Sequence, residues 1–205
     1  MDNTKKVKGK MDFIIDERVF DGMDKYKYIM ENVKKVNVQT DFAFRKAYCA
    51  YYGLNRNTSR EFQNEYFAYM EQVKNCSVAY GDVINTLYAK TKRVDYSFAS
   101  KLLHTIQPDM PILDQHLMRM LGFKLQPNGE AKNRIAYYVK IYETVSAEYA
   151  FIQNNLQNGV GKIYQAVKML QLNFGERCKG IPVAKLLDSL IFRMKDERGP
   201  SILEI

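Results

Sequence analysis

Asp114 stands where the second of two short predicted helices begins, after a Pro-bounded turn and ahead of the helical pattern that runs to Leu121. A carboxylate in that position has two uses. It can accept backbone N–H groups of the first helical turn, as an N-cap. Kept ionised and fixed in direction by the same helix end, it can also stabilise an oxocarbenium-like sugar or orient a water that attacks one. Cleavage of a glycosidic bond needs that chemistry. Both uses are open on the residues alone.

Other chemistry-bearing side chains are sparser. His104 and His116 lie twelve apart on different predicted helices, with no cysteine or paired carboxylate at ligand spacing. They read as packing or surface histidines, and His116, two residues past Asp114, is the better functional candidate. Cys49, Cys76 and Cys178 are far apart, which argues against a disulfide framework, a cysteine-ligated zinc or an iron–sulfur cluster. No metal and no cofactor are expected. Asp82, Asp95, Asp109 and Asp188 read as solvated or capping acids. The Gly159 to Lys162 run GVGK lacks the preceding strand and full spacing of a phosphate loop.

The elements that must position these groups are helical. Met23, Tyr26, Met30 and Val33 fall at helical spacing after Gly22. Asp41 is the expected N-cap of a helix carrying Phe44, Ala47, Tyr48, Tyr51 and Tyr52, closed by Gly53. Thr58 and Glu61 have capping-box spacing ahead of Phe62, Tyr66, Tyr69, Met70 and Val73. Tyr80, Val83, Ile84, Leu87 and Tyr88 form the next stripe. Ala99, Leu102, Leu103 and Ile106 form another, then Leu113, Leu117, Met120 and Leu121. A long helix is predicted from about Ala131, with Ile135, Tyr138, Val139, Tyr142 and Val145 inward. Gly159 and Gly161 break or bend the chain beyond it. Ile163, Val167, Leu170 and Phe174 continue the period to Gly175, and after Pro182 come Val183, Leu186, Leu187, Leu190, Ile191 and Met194. No segment alternates with period two. The expectation is an all-α chain of about nine to ten helices, a single domain over residues 1–205, with most tyrosines and methionines in the core.

Of the 205 residues 46% are hydrophobic, enough for a substantial core, and no run approaches a membrane span. The opening residues, basic at Lys5, Lys6, Lys8 and Lys10, read as a frayed tail without the apolar stretch of a secretory signal. A cytoplasmic setting is expected. The net charge of +8 suits a polyanionic partner such as nucleic acid.

The run Pro111-Ile112-Leu113-Asp114-Gln115-His116-Leu117-Met118-Arg119-Met120-Leu121 resembles the segment that carries the catalytic aspartate in helix-hairpin-helix DNA glycosylases. The adenine-specific branch is closest, with its Pro-Ile-Leu-Asp start and an arginine five residues past the acid. Ser97 to Leu103 occupies the place of that family's second hairpin helix. The resemblance spans about 30 residues and implies a two-lobed helical fold, a DNA partner and Asp114 as the catalytic carboxylate. A flipped base would enter a cleft between the lobes. The chain departs from the family at the hairpin turn. Lys92-Arg93-Val94-Asp95-Tyr96 replaces a glycine-rich turn whose backbone amides grip a phosphate. The lysine of bifunctional members would fall near Ser97, and Lys101, about one turn later, is not assigned that role.

The resemblance and the charge together predict a DNA-binding protein that hydrolyses the N-glycosidic bond of a damaged or modified base, with water as nucleophile. Asp114 is the candidate catalyst. Lys90, Lys92, Arg93, Ser97, Lys101 and His116 are the candidate nucleic-acid contacts. The missing glycine turn keeps an alternative open, a catalytically inactive module that binds nucleic acid or protein on the same fold.

Overall fold

A computed structural model describes residues 17–193. The expectations for Lys5 to Lys10, for the start of the Phe13–Phe20 segment and for Met194 lie outside the described residues. Within them the chain forms a 3-10 turn, Glu17–Phe20, and ten α-helices, with no strand. In order these are α1 (Met23–Asn32), α2 (Phe42–Tyr52), α3 (Leu54–Asn57), α4 (Arg60–Val73), α5 (Tyr80–Thr91), α6 (Tyr96–Ile106), α7 (Gln115–Met120), α8 (Ala131–Asn154), α9 (Lys162–Cys178) and α10 (Val183–Arg193).

The helix ends obey the residues that flank them. The Asp41 carboxylate accepts the Phe44 N–H at 2.7 Å and opens α2. Gly53 closes it in the left-handed region, with φ 70°. The expected capping box is displaced by one residue. Ser59, not Thr58, caps α4, through a bond from the Phe62 N–H at 3.2 Å. The Thr58 hydroxyl instead donates back to the Leu54 carbonyl, because Leu54–Asn57 forms its own short helix. Gly161 precedes α9, so the glycine pair separates α8 from α9 as expected. Past Gly175 the helix continues to Cys178, through non-helical φ/ψ at Phe174.

One hydrophobic cluster runs from Val19 to Ile191. Side chains such as Leu102, Leu103, Val167 and Leu187 are fully enclosed in it. Each contributes roughly 1.5–3 kcal/mol on burial. Most of the tyrosines are core residues, as their helical spacing predicts, and several of their hydroxyls are spent on structure. Tyr48 donates to the Tyr66 hydroxyl (2.7 Å), which donates to the Phe98 carbonyl (2.9 Å). Tyr80 stacks on Tyr142 at 3.9 Å, and Tyr96 on Tyr138 at 4.4 Å. These stacks fasten α5 and α6 to α8. Helix α10 packs on α7, α8, α9 and the Glu17–Phe20 turn, so the last described helix closes over the first described turn.

Candidate active site

The segment between α6 and α7 turns at residues 107–110 and then runs without regular structure to Asp114, and buried side chains hold it from both sides. The Leu113 N–H donates to the Ser100 hydroxyl at 3.0 Å. The Tyr142 hydroxyl, from α8, donates to the Pro111 carbonyl at 3.0 Å. His104 is fully enclosed, and its Nδ1 lies 2.7 Å from the Met110 carbonyl. A carbonyl only accepts, so Nδ1 carries the hydrogen and Nε2 accepts from the Tyr26 hydroxyl at 3.0 Å. His104 is thus a packing residue that ties the segment to α6 and α1. Burial pushes its pKa down to about 4, so it stays neutral.

This scaffold presents Asp114 at the head of α7. Its Oδ1 accepts the Leu117 N–H at 2.9 Å, so the capping role is present. Among the described residues no second hydrogen bond engages the carboxylate. Asp114 lines a pocket of about 300 Å³, with Val19, Tyr51, Tyr52, Lys101, Ile112, Lys185, Asp188, Ser189 and Phe192. That volume is at the small end of ligand pockets. Asp21, exposed, also lines it. Three carboxylates against two ammonium groups leave the lining acidic rather than basic. Such a pocket favours a centre that becomes positive and disfavours a phosphate inside it.

Burial, then the neighbouring Asp188 charge, raises the Asp114 pKa against the helix N–H and Lys101. Lys101, from α6, reaches inward. Its ammonium donates to the Tyr52 carbonyl at 3.3 Å and faces the Phe98 ring at 5.1 Å. Burial lowers its pKa, and Asp114 and Asp188 partly restore it. Lys185, from α10, is only 7% exposed. It binds Asp188 Oδ2 at 2.5 Å and lies 5.7 Å from the rings of both Tyr26 and Tyr51. Burial pulls its pKa down, but Asp188 and Tyr51 outweigh this and hold it above the ordinary lysine value.

The six candidate nucleic-acid contacts do not form one surface. Lys90, Lys92 and Arg93 are exposed at the end of α5 and in the turn before α6. Lys90 pairs with Glu65 at 3.2 Å, and Arg93 pairs with Asp95 at 3.0 Å while lying over the Phe62 ring. Asp95 is therefore not a solvated acid, nor does its side chain cap α6. Ser97 is half-buried, and its carbonyl accepts the Ser100 hydroxyl. Lys101 belongs to the pocket. His116 donates Nε2–H to the Ile191 carbonyl at 3.0 Å and packs on Phe192, at the pocket wall. In the glycine-free turn Lys92 takes the left-handed conformation itself, φ 58°, and its N–H closes α5 on the Tyr88 carbonyl.

Sequence reasoning does not mark Tyr51, Tyr52, Lys185, Asp188 or Ser189 as site residues. The two tyrosines read as core. The expectation of a solvated or capping Asp188 is corrected: it is partly buried and ion-paired. The available signal is a Lys-x-x-Asp-Ser set interleaved with the apolar stripe of α10, where a solvated face would not be.

Among the described residues no group of three or more His, Cys, Asp or Glu side chains is arranged to hold a metal ion, and no helix is long and apolar enough to cross a membrane. No protein-family model, no curated protein and no solved structure matches this chain.

Proposed function

We propose that this protein binds DNA and hydrolyses the N-glycosidic bond of a damaged or modified base, with Asp114 as the catalytic carboxylate. The observation that carries this reading is the placement of Asp114. Asp41, a cap and nothing more, makes one backbone bond through its carboxylate and does not line this pocket. Asp114 has one such bond and opens onto a cavity of about 300 Å³. The acidic lining suits a sugar that turns cationic as its base departs. The phosphates would stay outside, against exposed cations such as Lys92. Lys101 adds a positive group next to Asp114, and the Tyr51 and Tyr52 rings add apolar wall.

The second reading, a helical binding module without catalysis, draws on the hairpin turn. Lys92 and Arg93 replace the glycines that let bare backbone approach a phosphate, and the Asp95 carboxylate lies beside them. The deciding experiment measures base release from duplexes carrying a panel of damaged and modified bases. Release supports the hydrolase. Salt-sensitive DNA binding without release from any duplex supports the module.

A further inference from the structure

Hydrolysis of a glycosidic bond by water asks for two things at once. Negative charge must face the sugar as it becomes cationic, and a second group must take the proton that the attacking water gives up. Besides the exposed Asp21, the pocket has carboxylates on two helices that meet there, Asp114 at the head of α7 and Asp188 on α10. Their partners differ. Asp114 Oδ1 holds a backbone N–H at 2.9 Å, whereas Asp188 Oδ2 holds the Lys185 ammonium at 2.5 Å.

Resting on the glycosidic-bond reading above, we propose that Asp188, positioned by Lys185, is a second catalytic carboxylate of this pocket. It takes the proton of the attacking water while Asp114 faces the sugar cation. In the step, the C1′–N bond breaks and its electron pair leaves with the base. A lone pair of the water oxygen forms the C1′–O bond. One water O–H bond breaks, its electrons stay on oxygen, and the proton passes to Asp188. Asp188 then returns it to the departed base through solvent, so charge and atoms balance and Lys185 stays protonated throughout.

Two features of the structure support this. A buried ion pair is a weak source of stability, because both partners lose hydration. Here one is built into a pocket wall. Its ammonium also lies 5.7 Å from each of the Tyr26 and Tyr51 rings, to one side of the pair, and Tyr26 is fixed by His104, which is fixed by Met110. The scaffold that aims Asp114 therefore also aims Asp188. Among the described residues Oδ1 of Asp188 has no hydrogen-bond partner, which leaves an acceptor for water.

The test uses azide, an anion that attacks carbon without losing a proton. Base release is measured for the full chain, for Asp188→Asn and for Asp114→Asn, each with and without azide. Should Asp188→Asn leave Lys185 stranded and misfold, the double change Asp188→Asn with Lys185→Gln removes both partners together. Loss of Asp188 should slow base release by about 100-fold or more. Azide should restore it and leave a glycosyl azide in place of the abasic sugar, and should not rescue Asp114→Asn. Unchanged release on loss of Asp188, or a loss that azide does not restore in a folded variant, overturns the assignment. If the unaltered chain releases no base from any duplex, the glycosidic-bond reading itself falls, and this inference with it.

Discussion

Asp114→Asn separates the two uses of one carboxylate. Asparagine keeps an oxygen for the Leu117 N–H and caps about as well as aspartate, so α7 should form unchanged. Loss of the charge removes a favourable helix-end interaction of roughly 0.3–1 kcal/mol. It also removes an anion that burial and Asp188 disfavour. Linkage gives the sign. The folded pKa lies above the ordinary 3.8, so the folded chain binds this proton more tightly than the unfolded chain, and ionisation at neutral pH weakens the fold. The two effects oppose each other, and the melting temperature should hold or rise. Catalysis should behave differently. Removing charge aimed at a developing cation costs about 100- to 1,000-fold in rate, or roughly 2.7–4 kcal/mol of barrier. The assay is base release from the duplex panel under single turnover, with abasic sites revealed by alkaline strand cleavage, beside thermal melts and DNA binding. Release at the unaltered rate by a folded variant refutes the catalytic role. A fall in melting temperature large enough to explain lost activity refutes the claim that the charge is dispensable to the fold.

Replacing Lys92 and Arg93 together by alanine should weaken DNA binding and flatten its dependence on salt by up to about two units, one per lost phosphate contact; equal affinity and slope, read by fluorescence anisotropy across a salt series, would move the footprint elsewhere. Lys92→Gly should raise stability by about 1 kcal/mol, since φ 58° strains a side-chain-bearing residue and not glycine; an unchanged or lower denaturation midpoint would contradict this. His104 should make the fold acid-sensitive. Its pKa falls from 6.5 to about 4 on folding, so the unfolded chain binds the proton more tightly. Stability is then full above pH 6.5 and declines toward pH 4, by roughly 3 kcal/mol in all. Urea unfolding at several pH values would show this, and an equally steep decline in His104→Gln would assign it to other groups.

The helices were legible in the sequence because burial of a helix writes a 3.6-residue period into it, and α1, α4, α6 and α10 carry strong stripes. The Asp41 cap and the Gly53 stop were legible because each is a local matter of one side chain or one positive φ. So was Asp114 as a carboxylate at a helix start. The capping box failed by one residue, since Thr58 and Ser59 are both good caps and only the short α3 decides between them. The pocket was not legible. Asp114, Lys101, Tyr51 and Lys185 come from four separate stretches, and nothing in local spacing says that α10 folds back over α7 and the Glu17–Phe20 turn. That return turned Asp188 from an apparent surface acid into the partner of a buried ammonium, while the Tyr52 carbonyl at the end of α2 holds Lys101 in the same pocket. Local physics chose the helices and the capping role of Asp114. Long-range packing of apolar faces chose which charges meet, because the free energy of a charge depends on neighbours and burial that only the assembled chain supplies.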